Sequence, residues 1–140
     1  MPMTDSVRHI EYYYTSIPDQ VGEAAKVLNA LKAESANLIT FNGFETGLGR
    51  AQLDFVPSDP KSFISAAEKA GIKLVGPRVA FLVQGEDRLG SVADILNKLD
   101  EARINVTAVQ AIASGDGRYG AILSVRPHDI DHATQILGAS

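Results

Sequence analysis

The chain has 140 residues, 45% of them hydrophobic and 21% charged, with a net charge of −4 and no cysteine. This is the composition of a folded globular protein, and its negative balance argues against nucleic acid or an acidic membrane surface as the main partner, since both select a basic footprint. The lack of cysteine excludes disulfides, thiolate metal sites and a cysteine nucleophile, and fits a reducing compartment. Residues 1–8 carry no apolar stretch, so no signal peptide is expected, and no run approaches the roughly 20 apolar residues of a bilayer span. The expectation is a cytoplasmic protein.

Residues 10–16 are β-branched and aromatic and predict a strand. Asp19 follows, placed to cap a helix with its carboxylate. Ala24, Val27, Leu28 and Leu31 repeat at i, i+3, i+4, i+7, the stripe of an amphipathic helix. A second strand is predicted at 38–46, a turn at Gly47-Leu48-Gly49 and a third strand at 51–56. Asp59-Pro60 reads as cap and first residue of a second helix, which Gly71 ends. Residues 72–75 can add a closing strand, and Gly76-Pro77 punctuates what comes next. The same order then recurs. A strand at 79–84 leads to Asp87 and to a helix striped by Val92, Ile95, Leu96 and Leu99. A strand at 106–113, the turn Ser114-Gly115-Asp116-Gly117, a strand at 119–125 and a helix ending at Gly138 complete it.

The recurrence is an internal repeat. A shift of 68 lays Asp19 on Asp87, Gly22 on Gly90, Leu28 on Leu96, Asn37 on Asn105 and Arg50 on Arg118. After one deletion between Phe55 and Pro60, a shift of 67 lays Pro60 on Pro127 and Gly71 on Gly138. The predicted architecture is α+β: two ferredoxin-like βαββαβ units in tandem, 7–76 and 77–140, each an antiparallel sheet with helices on one face. The second unit runs out of chain after its last helix and lacks a fourth strand. Its edge at 79–83 must be covered by the other copy or by a second chain. Tyr12 and Tyr14 alternate with Tyr13, as Leu82 does with Phe81, so both faces of each first strand are apolar. That pattern favours a homodimer or close packing of the copies.

Asp87-Arg88-Leu89-Gly90, the leucine-patterned helix and Ala102-Arg103-Ile104-Asn105-Val106 resemble the ACT domain. Asp19-Gln20-Val21-Gly22 and Ala36-Asn37-Leu38 resemble it in the first copy. The resemblance implies a small-molecule, usually amino-acid, binding module attached to metabolic enzymes or regulators, with ligands held where paired domains meet. It marks Asp87, Arg88, Leu89, Gly90, Ser91 and Asn105 as ligand-binding in the second copy, and Asp19, Gln20, Val21, Gly22 and Asn37 in the first. Helix N-termini offer N–H groups to a carboxylate, and glycine permits close backbone approach. Val21 and Leu89 stand where such domains often carry proline.

Other chemistry is thin. Gly47-Leu48-Gly49-Arg50 and its counterpart precede a strand, where a phosphate cradle precedes a helix. His128 and His132 sit at i, i+4 without a third ligand, so no metal is expected. No nucleophile, base and oxyanion set can be assembled, and neither enzyme activity nor a cofactor is expected. The function expected is that of an amino-acid-binding regulatory module with a metabolic enzyme or regulator as partner, the alternative being a ligand-free interaction or oligomerisation module.

Overall fold

The computed structural model describes residues 5–140; residues 1–4, half of the stretch read as lacking a leader, lie outside the described residues. The elements are β1 (Ser6–Pro18), α1 (Glu23–Ala33), β2 (Leu38–Gly47), β3 (Arg50–Pro57), α2 (Pro60–Lys69) and β4 (Val75–Glu86). They continue with α3 (Ser91–Glu101), β5 (Val106–Ala113), β6 (Arg118–Val125), a 3-10 turn at Pro127–Asp129 and α4 (Ile130–Leu137). The chain divides into two compact units, Glu11–Arg78 and the described residues up to Ile10 together with Val79–Ser140. Both are α+β with the ferredoxin-like order expected from the repeat.

Within Glu11–Arg78 the strand order is β2-β3-β1-β4. Tyr13 lies opposite Phe55, and Phe55 opposite Phe41, in antiparallel ladders. Alternation sends Tyr13 and Ile17 of β1 into one core with Leu53, Phe55 and the helices. Phe63, Ala66 and Ala67 form the buried face of α2 at i, i+3, i+4. The Phe63 ring packs 5.6 Å from that of Tyr13 and 5.3 Å from that of Phe55. Full burial of such a side chain contributes about 1.5–3 kcal/mol. Of the α1 stripe only Leu31 is fully buried; Ala24, Val27 and Leu28 pack against the core at its margin.

The other unit orders its strands as the first half of β1, then β4, β6 and β5. Its core joins Val7, Phe81, Val83, Ile95, Leu99, Ile104, Leu123, Ala133 and Leu137. The strand missing from the second copy is therefore supplied by residues that the repeat assigned to the first. Val7 enters this core, the His9 ring packs 5.2 Å from Phe81, and the Ser6 hydroxyl reaches the Gln84 carbonyl. Ser140 finishes the edge: its N–H donates to Val7 O and its carbonyl accepts from His9 N–H, both at 3.1 Å. The expected units 7–76 and 77–140 thus become Glu11–Arg78 and its complement. The physical reason is the length of the two first strands. β1 begins at Ser6, and β4 runs unbroken through Gly76-Pro77, so each serves both units. Gly76 is needed there, because a Cβ would stand 2.9 Å from the Tyr12 carbonyl oxygen.

The duplication extends to backbone detail. Gly22 and Gly90 both precede their helices with positive φ, 88° and 79°. Ser35 and Arg103, also related by the shift of 68, both close a helix at positive φ, 59° and 63°. Asp19 and Asp87 do not cap. The N-cap positions are Gly22 and Gly90, without a side-chain bond. The left-handed glycine turns the chain so that each Asp stays with the strand end. Asp19 N–H bonds to Gly49 O at 2.8 Å, and Asp87 N–H to Gly117 O at 2.9 Å. Asp59 does occupy the N-cap of α2, ahead of Pro60, and its carboxylate accepts from the Ser62 hydroxyl at 2.8 Å.

Candidate functional site

Each repeat carries a recess in the same place. It lies below the loop after the first strand, against the start of the helix and the last part of the second strand. In Glu11–Arg78 the recess measures about 360 Å³ and is lined by Asp19, Gln20, Ala24, Phe41, Phe44 and Ala51 among others. Its counterpart, about 260 Å³, is lined by Asp87, Arg88, Gly90, Ser91, Ile112 and Tyr119 among others. Phe44 and Ile112 are repeat equivalents, and both are exposed, at 42% and 73%. An apolar side chain turned outward at the same point of both copies forms one wall of each recess.

The helix ends form the opposite wall. Ser91 N–H donates to Arg88 O at 3.2 Å, and Asp94 N–H to Gly90 O at 2.9 Å. Between them, the N–H groups of Val92 and Ala93 meet no acceptor among the described residues. In α1, Glu23 and Lys26 N–H are bonded to Gln20 O and Gly22 O, and those of Ala24 and Ala25 are likewise unmet. The first N–H groups of a helix have no partner within it, and they carry the positive end of its dipole.

The loop residues marked by the sequence fall into distinct places. Asp87, Arg88, Gly90 and Ser91 line one recess, and Asp19 and Gln20 the other. Ser91 is 5% exposed, and its hydroxyl is spent on the Arg88 carbonyl at 2.9 Å, so it knits the loop. Arg88 is held on the helix surface by Asp94 at 2.7 Å. Gly22 shapes its loop without lining the recess. Val21 and Leu89, at 105% and 102% exposure, point fully outward and line neither recess.

Asn37 and Asn105 are not brought to these loops. Asn105 precedes Val106, which pairs with Val125, whereas the loop end of the sheet is marked by Ala113↔Tyr119 and Glu86↔Arg118. At about 3.4 Å per residue the length of β5 separates them. Asn37 likewise sits at the far end of β2, bonded to Ser58. What sequence reasoning missed is the strand wall of Phe41, Phe44, Ile112 and Tyr119. The signal was present in the repeat, because a solvent-facing Phe44 recurs as a solvent-facing Ile112. His128 lies in the 3-10 turn ahead of α4 and contacts Asp129 at 3.5 Å. No group of three metal-ligating side chains occurs among the described residues, nor does any helix long and apolar enough to cross a membrane.

The sequence matches no protein-family model and no curated protein. Solved structures do resemble the chain. Protein BT0572 from Bacteroides thetaiotaomicron superposes with a TM-score of 0.81 at 14% identity, over 94% of this chain and 88% of that one. The ligand-free regulatory subunit of aspartate kinase from Thermus thermophilus gives 0.65 at 18%, over 97% and 95%. That from Thermus flavus gives 0.64 at 19%, over 97% and 95%. At these identities what is shared is the fold. The chain has the tandem ACT-like fold of two ferredoxin-like units.

Proposed function

We propose that this chain is a non-catalytic regulatory module that binds a small amino acid in the recesses beneath the 19–22 and 87–91 loops. The observation that carries the reading is the pair of unmet N–H groups in each recess, Ala24 with Ala25 and Val92 with Ala93. Two adjacent donors at the positive end of a helix suit a carboxylate. Volumes of about 260 and 360 Å³ suit a ligand at or below the small end of the usual range of ligand pockets. Asp87 and Asp19, on the facing loops, add negative charge for an ammonium group. The chain spans nearly the full length of the two aspartate kinase regulatory subunits, which supports a regulatory role of the same general kind. It would act in the cytoplasm, as a homodimer or beside a metabolic enzyme or regulator. The second reading is a ligand-free interaction module, in which the loops that carry the fully exposed Val21 and Leu89 would meet a protein partner.

Calorimetry and thermal melting of the full chain against the twenty amino acids at millimolar concentration separate the two readings. A ligand at about 100 times its Kd raises stability by about 2.7 kcal/mol. Ile112→Glu, at an exposed recess position, puts a carboxylate where the ligand's would lie and lowers affinity at least tenfold with the unliganded melting temperature unchanged. An absence of heat and of any melting shift across the panel removes the ligand-binding reading.

A further inference from the structure

In the unit containing Val79–Ser140, β5 is an edge strand. β6 pairs with one side of it, and no strand among the described residues pairs with the other. Seven of its eight residues are exposed, Val109 at 43% and Ile112 at 73%. Its sequence, Val106-Thr107-Ala108-Val109-Gln110-Ala111-Ile112-Ala113, holds no charge and no proline. A free edge displays backbone N–H and C=O groups without partners, and proteins guard such edges with charges, prolines, bulges or short length. β5 has a register shift between Val106 and Ala108, but from Ala108 to Ala113 its pairing with β6 is unbroken. That stretch is a regular, uncharged and unguarded edge.

The edge of the other unit differs. β2 holds Asn42, Gly43 and Glu45, residue types that strands disfavour, and it shifts register near both ends, between Leu38 and Thr40 and between Glu45 and Gly47. What β5 lacks is a backbone partner, so its occupant is a strand. A guarded β2 does not fit: β5 on the β2 of a second copy would repeat head to tail without closing. β5 fits itself. Its uncharged sequence crosses a two-fold axis without setting like charges together. With the helices of both copies on the same face, a two-fold axis at Gln110 lays Ala108 opposite Ile112 and Val109 opposite Ala111. Each larger side chain then meets an alanine, and the Gln110 amide, donor and acceptor at once, meets its own copy. An axis at Ala111 would set Gln110 against Ile112, and one at Val109 would set it against Ala108, leaving the amide without a polar partner in either case.

We propose that β5 pairs antiparallel with β5 of a second copy, with the two-fold axis at Gln110. The inference gives a surface to the homodimer of the preceding reading and rests on that part of it alone; it requires no bound amino acid. The contact consists of main-chain bonds along 108–112, with Val109 and Ile112 each covered by an alanine. One pair of strands buries little area, so the dimer is reversible and responds to concentration.

Sedimentation of the full chain across a range of concentrations measures the dimer, and hydrogen exchange at both ends of that range measures the edge. Wild type should pass from monomer to dimer as concentration rises, and the alternate amides of 108–112 that β6 leaves free should gain protection in step. Gln110 is exposed, so a charge there is tolerated by the monomer. Gln110→Lys and Gln110→Glu each set like charges opposite one another and should weaken the dimer at least tenfold. An equimolar mixture of the two sets opposite charges there and should recover it. Asn42→Lys, the same change at the repeat equivalent on β2, should leave the dimer within twofold. Where a variant fails to fold, exchange in the wild type decides: β5 amides with the same rates at both concentrations overturn the proposal. A dimer that neither Gln110 variant weakens, that the mixture does not recover, or that Asn42→Lys disrupts overturns β5 as its surface and leaves the homodimer standing. A wild type that stays monomeric at every concentration overturns both, and leaves amino-acid binding to its own test.

Discussion

A phenol pressed between burial and a carboxylate makes Tyr119 a reporter on the alkaline side. Its pKa is raised from 10.0 to about 12 in the folded chain, burial being the larger cause and Asp5 the next. Between pH 10 and 12 the unfolded chain loses the tyrosine proton and the folded chain keeps it. The folded state then binds more protons, so stability falls as pH rises through this window. Below pH 10 the hydroxyl is protonated in both states and contributes no slope. Tyr119→Phe should flatten the part of the urea-denaturation profile between pH 10 and 12 that this residue causes. A profile in Tyr119→Phe that falls as steeply as in wild type removes the assignment. Tyr13 is shifted the same way by burial, with Glu11 adding to it, and supplies the slope that should remain.

Among the elements, the two copies of the first helix invite a direct comparison. Leu99 in α3 is 0% exposed and Leu31 in α1 is 2% exposed, at positions related by the shift of 68. Truncation of a buried leucine to alanine costs about 2–5 kcal/mol, more where the surroundings cannot collapse. Leu99→Ala should stand higher in that range than Leu31→Ala. Ile95 buries beside Leu99 one turn earlier, whereas the equivalent Val27 is only half-buried and can relax. Equal losses by chemical denaturation would show that the neighbours collapse equally well. These helices were legible because a 3.6-residue stripe is a local pattern. Their caps were not. Asp19-x-x-Gly22 resembles a capping sequence, yet it is the left-handed glycine that starts the helix. The recess was half legible for a similar reason. Its loop follows from local turn chemistry, whereas Phe44 and Ile112 look like core residues until the sheet shows which way they face. Nor could the sequence separate Asn105 from Asp87, since the distance between them is set by the length of β5 in the sheet.

At the scale of the whole chain, duplication was readable because it is a pattern of identities, while the exchange of a strand was not. Residues 6–10 alternate poorly, with Val7 and Ile10 both buried and three residues apart, so period-two reasoning gives them little weight. Their partner, β4, lies more than sixty residues away, and no local signal reports a pairing of that range. The consequence is testable, since the unit containing Val79–Ser140 depends on residues at the other end of the sequence. His9 shows how closely they are tied. Its ring Nε2 is hydrogen-bonded with the Thr134 hydroxyl of α4 at 2.7 Å. A chain beginning at Glu11 loses this bond, the Val7 side chain from the core and the cover of β4. It keeps every core residue of Glu11–Arg78. In hydrogen exchange the amides of β4 from Val79 onward, and those of α4, should lose protection by several orders of magnitude in the shortened chain. Those of β3 should change far less. If β4 and α4 keep wild-type protection without residues 6–10, the strand is ornamental to this unit, and the second copy completes its sheet by some other means.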